Sequence, residues 1–419
     1  MINFSKHIPF FSSLFFGIFT WLVIFFIFPA SIVNPFSREA FIYIVGSYTT
    51  LILGYLLVSP LISKRKKPEW KIKKKEVNIL IYITLLSFAV RYIDLFLYRN
   101  VSFFNDVWTN RDLLNLTKPG FIFIFFSICK QLYFVPIILL FKAKIQDKKL
   151  HIISIILFLL PFIEGFIRGS RNSFFIPIIL LLVIHIYFRK IRFNKKQLFI
   201  FGAVVTLLFV IATSIIIGRE KTRTDENYTS ITTGFLLNDF LKPYPWVFEK
   251  IHDTKNKTAK ELMISGFQVG QYYVHGVFEF DFLMKHYQKE PLRPQYGKYT
   301  FATVNKFTNK CGFTNTNLEK VQENHPRGYT FITFFGGLYL DFGWVGLLIM
   351  FFYGAGQRVI YEAVKKCKVE YIPLFIFLLF ANFFMLTFNF IENTGTYFIA
   401  VCSALIILIR LKDFVLSKK

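Results

Sequence analysis

The sequence predicts an all-α, polytopic integral membrane bundle of about ten transmembrane helices, with one large, partly helical loop on its outer side. Three observations lead there. The composition is too apolar for a soluble surface: of 419 residues 54% are hydrophobic, 20% are aromatic and 56 are Phe, and the mean hydropathy is +0.48. Too few polar residues remain to cover a water-facing exterior. Apolar runs of spanning length recur along the chain. The basic residues gather in alternate short loops. Together these exclude a soluble enzyme, a disordered chain and a disulfide scaffold.

A spanning helix needs about 20 apolar residues. The runs at 8–28, 40–62, 77–98, 120–141, 151–167, 172–188, 197–217, 336–357, 370–390 and 394–411 read as spans. The fifth and sixth are short and closely linked, so they are tilted or one is re-entrant. The first follows Lys6 and precedes Pro29-Ala30-Ser31, as a signal peptide would. Its apolar core is longer than a leader's, roughly 7–15 residues, and a second span follows, so it reads as a transmembrane helix. The organisation expected is therefore helices one to seven in 1–217, a large loop in 218–328 and helices eight to ten in 329–419.

The net charge of +25 suggests nucleic acid until the cations are placed. Lys64-Arg65-Lys66-Lys67, Lys71 and Lys73-Lys74-Lys75 lie in one loop. Lys142, Lys144, Lys148 and Lys149 fill a second; Arg189, Lys190, Arg192, Lys195 and Lys196 a third. Arg358, Lys365, Lys366 and Lys368, then Arg410, Lys412, Lys418 and Lys419, complete the series. The intervening short loops hold only Arg38, then Arg99, Arg111 and Lys118, then Arg168 and Arg171. The positive-inside rule then places both termini in the cytoplasm and accounts for the charge without nucleic acid. Cys129, Cys311, Cys367 and Cys402 are scattered, with no metal-ligand or disulfide spacing.

Several polar residues stand where apolar ones are expected. Arg91 and Asp94 lie three apart in the third span, either as a structural ion pair or as part of a polar cavity. Lys130 and Gln131, near the middle of the fourth, join the same interior, unless Lys130 snorkels to the surface. The turn Glu164-Gly165-Phe166-Ile167-Arg168-Gly169-Ser170-Arg171-Asn172-Ser173 puts two arginines on the outer side. It is a capped hairpin with Glu164 paired to Arg168, or an anion site, since Arg suits bidentate phosphate binding. Arg219 and Arg223 add cations at the same face.

Within the large loop, 259–288 reads as a helix with Gly266/Gly270 and His275/Glu279 pairs and with Tyr272, Tyr273, Phe278, Phe280 and Phe282. It is an interfacial helix or an aromatic groove for sugar rings. The loop ends in the densest group of chemically capable residues, from Asn324-His325-Pro326-Arg327 to Tyr339-Leu340-Asp341-Phe342-Gly343-Trp344-Val345-Gly346. Asp341 at the head of an apolar helix requires a partner or water, while Gly343 and Gly346 permit close helix packing. Glu392, between Asn389 and Asn393, lies in the last outer turn, which a simple capped turn also explains.

These features resemble the bacterial O-antigen and capsule oligosaccharide repeat-unit polymerases (Wzy-type). The likeness rests on Arg168-Gly169-Ser170-Arg171 between short spans and on Tyr296-Gly297-Lys298-Tyr299-Thr300-Phe301 in the large loop. Its strongest part is Thr333 to Gly346, which is similar to the family's Thr segment followed by Tyr-x-Asp-Phe-Gly-x-x-Gly. It covers roughly residues 160–395. Thr330 stands where the family pattern has Asn.

The resemblance implies a glycosyltransferase of the bacterial inner membrane that joins undecaprenyl-diphosphate-linked oligosaccharides at the periplasmic face. Such a donor already carries a good leaving group, so no cofactor is expected, and with no DxD-like carboxylate pair in an outer loop no metal is expected. Partners would be the lipid-linked glycans, the bilayer, a chain-length regulator and a flippase. Arg168, Arg171, Arg219 and Arg327 are candidates for the diphosphate. His325, with Asp341 and Glu279 as alternatives, is the candidate base; Tyr272, Tyr273 and Tyr299 would stack sugars. An O-antigen ligase, transferring glycan to a lipid core, shares the architecture, with a His at the end of the large loop. A lipid-linked oligosaccharide flippase or transporter is a third reading, but it favours internal repeats, and the sequence has none.

Overall fold

The computed structural model describes residues 7–58, 71–105, 107–117, 119–170, 172–189, 240–289, 293–317, 321, 332–393 and 395–417. Among them the protein is helical apart from one two-stranded sheet, β1 (Ala30–Ile32) with β2 (Leu241–Pro243). Six helices are long and apolar enough to cross a membrane: Ile8–Ile27, Arg38–Leu57, Lys74–Tyr98, Phe121–Ala143, Lys148–Arg168 and Phe334–Lys365. Shorter apolar helices at Asn172–Phe188 and Val369–Phe383 occupy the sixth and ninth expected spans. Gly395–Ser417 is one helix over the tenth. The expected seventh span, 197–217, lies outside the described residues.

The chain divides into two compact units. One gathers Met1–Phe28, Ile32–Trp70 and Gln271–Lys419; the other is Pro29–Ser31 with Lys71–Gly270. Both draw on spans and on the predicted large loop, so compactness does not follow sequence order.

In the first unit, α1 (Ile8–Ile27) and α2 (Arg38–Leu57) pack with helices from the far end of the chain. Ser37 caps α2 by accepting from the Ala40 N–H at 3.3 Å, and Glu39 sits in the first turn, where its charge suits the helix dipole. The partner of α2 is α13 (Gly346–Lys365). A Cβ on Gly54 would lie 1.9 Å from the Phe351 carbonyl oxygen, and one on Gly354 2.0 Å from that of Leu51. The two backbones touch because each offers a glycine to the other. This is how helices associate where surrounding lipid supplies no hydrophobic drive. Tyr43 of α2 donates to the Gly343 carbonyl at 3.1 Å. α1 meets α14 (Ile372–Phe383) in the same way, Gly17 lying against Phe383. Gln357 of α13 and Asn382 of α14 exchange amide hydrogen bonds of 3.0 and 2.9 Å, and Asn382 also donates to Ser13 of α1.

The second unit is built on α3 (Lys74–Ile93), which continues as a π-helical turn, Asp94–Tyr98. α4 (Val107–Leu116) follows. The next span is compound: α5 (Phe121–Cys129), a 3-10 stretch Lys130–Phe134, and α6 (Val135–Ala143). α7 (Lys148–Arg168) starts at Asp147, whose carboxylate accepts from the Leu150 N–H, and ends at Gly169, with φ +59°. α8 (Asn172–Arg189) turns back, its Phe174 ring packing on Phe162 and Phe166. α9 (Pro245–Asp253) and the start of α10 (Lys257–Lys289) complete the unit, whose boundary falls inside α10.

The α2–α13 contact gives a direct test. Gly54→Ala or Gly354→Ala forces a methyl into backbone, an overpacking of about 1–3 kcal/mol or more. Either substitution is expected to lower the thermal midpoint of the detergent-solubilised protein by several degrees. Gly356→Ala, with nothing within 4 Å of its Cβ, does not lower the midpoint, since Ala suits a helix interior better than Gly.

Candidate functional site

The second unit contains a hydrogen-bonded ionic cluster inside its apolar helices. Arg91, near the end of α3, is buried between two carboxylates. Its Nη1 bonds Asp94, and its Nη2 donates to Glu164 Oε1 at 2.8 Å. Glu164 Oε2 faces Lys130 Nζ. Arg168 Nη1 donates to Glu164 Oε1 at 3.1 Å, and Arg99 Nε to Asp94 Oδ1 at 3.0 Å. Four cations, Arg91, Arg99, Lys130 and Arg168, thus share two carboxylates, leaving an excess of two positive charges within the cluster.

Local backbone explains how these charges meet. α3 widens into a π-turn at Asp94, and the fourth span tightens to 3-10 at Lys130. Such interruptions re-aim side chains and recur at functional sites. Asp94 and Lys130 each stand at the first residue of an interruption, and Glu164 is one α-helical turn before Arg168. The buried members are costly to isolate: removing one partner of a buried pair typically destabilises by about 3–5 kcal/mol. Arg168 differs, because its side chain is 46% exposed.

The connection after α3 is fastened to the same place. Arg99 Nη1 donates to the Leu114 carbonyl of α4 at 3.0 Å. Asn110, buried, donates to the carbonyls of Ile167 (3.0 Å) and Ser102 (2.8 Å). Its Oδ1 accepts from the Ser102 N–H and from Asn105. α4 is therefore tied to the end of α7, one residue before Arg168.

The first unit holds the other sequence-predicted group. α12 (Phe334–Phe342) begins at Thr333, whose hydroxyl accepts from the Gly336 N–H, and ends at Gly343, with φ +58°. Asp341 is fully buried two residues before that break. Its Oδ1 accepts from the Tyr299 N–H at 3.0 Å and its Oδ2 from the Thr300 N–H at 2.7 Å. Its carbonyl accepts from the Tyr296 N–H at 3.0 Å. Asp341 thus anchors the Tyr296–Phe301 turn, in which Gly297 has φ +84°. Gly337 of α12 carries the buried Asn389 amide against it: a Cβ there would lie 2.2 Å from Nδ2. Asn389 Oδ1 accepts from the N–H groups of Ile391 and Glu392 and so starts α15 (Phe390–Asn393). Burial pushes the Glu392 carboxyl up to about 7, and Lys306, in α11 (Ala302–Lys310), pulls it partly back. Burial also raises Tyr299, with Glu392 and Asp341 adding to the shift.

Of the predicted diphosphate ligands, Arg168 belongs to the cluster; Arg171, Arg219 and Arg327 lie outside the described residues, as does His325. Glu279 is buried on α10, with Oε1 3.9 Å from His275 Nε2. Tyr272 packs on Phe388 and His275, and Tyr273 on Phe384, where burial raises its hydroxyl to about 12. Tyr299 is buried, and its backbone N–H is one of the two that Asp341 fixes. Arg99 and Asn110 were not among the predicted site residues; the charge of Arg99 so close to a span end was the available signal. Among the described residues no group of three or more His, Cys, Asp or Glu side chains is placed to hold a metal ion.

No protein-family profile, curated protein or solved structure matches the chain.

Glu392 gives a pH test. The folded carboxyl binds its proton near pH 7 and the unfolded one near its ordinary 4.5, so between those values the native state holds more protons and stability falls as pH rises. Thermal unfolding followed across that window should show wild type losing stability relative to Glu392→Gln, which has no carboxyl to ionise. Parallel curves would return the group to an ordinary surface value.

Proposed function

We propose that the protein is a membrane glycosyltransferase that polymerises undecaprenyl-diphosphate-linked oligosaccharide repeat units into O-antigen or capsular polysaccharide at the periplasmic face of a bacterial inner membrane. The observation that supports this most is the cation-rich cluster of Arg91, Arg99, Lys130 and Arg168 around Asp94 and Glu164. An excess of positive charge inside apolar helices has a purpose if an anion joins it. A lipid-linked diphosphate brings that anion to membrane depth. In this reading the chain crosses the membrane ten times with both termini cytoplasmic, which puts the C-terminal ends of α3 and α7 on the outer side.

The donor glycan carries a lipid diphosphate as its leaving group, so the reaction draws on no nucleotide. The acceptor hydroxyl oxygen bonds to the anomeric carbon while the bond from that carbon to the diphosphate oxygen breaks. The electron pair departs with the diphosphate, and the hydroxyl proton passes to a base. Fixed guanidinium groups meet charge as it grows on the leaving oxygen, often the largest catalytic contribution. Arg168 is the exposed donor of the cluster, with Arg171, Arg219 and Arg327 as its sequence-derived companions. His325 is the base by its ordinary pKa of about 6.5, with Glu279 and Asp341 as alternatives; Asp341 also holds the Tyr296–Phe301 turn. Tyr272 and Tyr273 supply ring surface for the glycan, and Tyr299 supports it from the buried side.

Arg168→Ala or Arg171→Ala is expected to abolish polymer while single repeat units persist on the lipid carrier, as read from glycan gels at matched protein levels. Lys at either position rescues partly, since a point charge lacks the bidentate fork. Normal polymer in both Ala variants would remove the diphosphate site.

Topology is tested with thiols. Cys311, after α11, and Cys367, after α13, are both partly exposed. A membrane-impermeant maleimide applied to spheroplasts of single-cysteine variants should label Cys311, and label Cys367 only after permeabilisation. The reverse pattern would place the arginines in the cytoplasm.

A further inference from the structure

Glu164 has more partners than its own neutralisation requires. Oε1 accepts from Arg91 Nη2 at 2.8 Å, from Arg91 Nε at 3.3 Å and from Arg168 Nη1 at 3.1 Å, while Oε2 faces Lys130 Nζ. The partners differ in kind. Arg91 and Lys130 are buried with Glu164, whereas the Arg168 side chain is 46% exposed. An exposed arginine–carboxylate contact is weak and readily exchanged. When Arg168 leaves, Glu164 keeps two buried cations, so departure strands no charge. Arg168 also follows Glu164 by one turn on the same helix and so reaches it without backbone movement.

We propose that Glu164 is a specificity-determining residue of the anion site: it holds Arg168 as a resident anion, so that a diphosphate displaces it and a singly charged phosphodiester does not. This rests on the anion site described above. A singly charged headgroup that takes Arg168 replaces its carboxylate contact with a phosphodiester contact of equal charge and gains nothing. A diphosphate brings further charge, which the two-charge excess of the cluster meets. The discrimination matters at this location. A site among membrane helices is surrounded by phospholipids such as phosphatidylglycerol, each with one negative phosphodiester and each far more abundant than any lipid-linked substrate. Without the resident carboxylate, Arg168 would be occupied by bulk lipid. The same logic explains why the exposed arginine shares its carboxylate with two buried cations instead of having one of its own.

The test uses the full-length protein in nanodiscs of phosphatidylcholine alone or mixed with phosphatidylglycerol, with farnesyl diphosphate as the probe. In wild type, farnesyl diphosphate affinity should change little when phosphatidylglycerol is added. In Glu164→Gln it should weaken by about tenfold on that addition, a change of about 1.4 kcal/mol, because the lipid now competes for Arg168. Wild type in the same discs controls for general surface charge. If the Gln variant fails to accumulate, Glu164→Asp is used. Shorter by one methylene, it still meets the buried cations but loosens Arg168, and it should show the same competition in smaller degree. Equal affinity with and without phosphatidylglycerol in the variant that accumulates would overturn the proposal and leave the anion site intact. Failure of wild type to bind farnesyl diphosphate in phosphatidylcholine alone would overturn both.

Discussion

A charge placed inside an apolar helix must be neutralised by another charge, and that requirement organises the second unit. Arg91 needs both Asp94 and Glu164; Glu164 in turn gathers Lys130 and Arg168 from two further elements. Each pairing fixes a helix, so α3, the compound fourth span and α7 are held in register by side chains that apolar packing alone would not specify. The π-turn at Asp94 and the 3-10 stretch at Lys130 are the backbone adjustments that let the groups converge. Neutralisation is incomplete, and this separates the cluster from a purely structural ion pair. A scaffold needs balance; an excess of cations suits a ligand that arrives charged.

The first unit solves a different problem by different means. Its helices carry few internal charges and associate through close backbone approach, at Gly54 with Gly354 and at Gly17 with Phe383. Its fully buried Asp341 is satisfied by backbone N–H groups of the Tyr296–Phe301 turn. That arrangement makes the end of α12 a platform on which the Tyr296–Phe301 segment is fixed. Gly337 leaves room for Asn389, which in turn starts the helix bearing Glu392. The Tyr-x-Asp-Phe-Gly pattern therefore has a folding explanation here: the Asp holds a turn and the Gly breaks a helix.

Much of this was legible in the sequence. Arg91 with Asp94 and Glu164 with Arg168 stand at helical neighbour spacing, so their pairing follows from periodicity. That Lys130 would meet Glu164 does not, because it depends on how two distant spans pack and on a 3-10 stretch that no local residue preference announces. Asp341 at the head of an apolar helix announces its need for a partner; the partners it has are backbone groups some forty positions earlier, which side-chain patterns cannot reveal. Asn110 was invisible for the same reason, since a single amide in a polar connection carries no signal until its four partners are in place. The division into two units was equally hidden, because the first gathers segments from both ends of the chain and the boundary falls inside one helix of the large loop.

The central claim is that the cluster around Glu164 receives a lipid-borne diphosphate. Photocrosslinking of the purified protein with an isoprenyl diphosphate carrying a photoreactive group beside the diphosphate, followed by peptide mapping, tests it most directly. The account predicts adducts in the segments holding Lys130 and Arg168, suppressed by excess inorganic pyrophosphate. Adducts confined to the first unit, or undiminished by pyrophosphate, would contradict it.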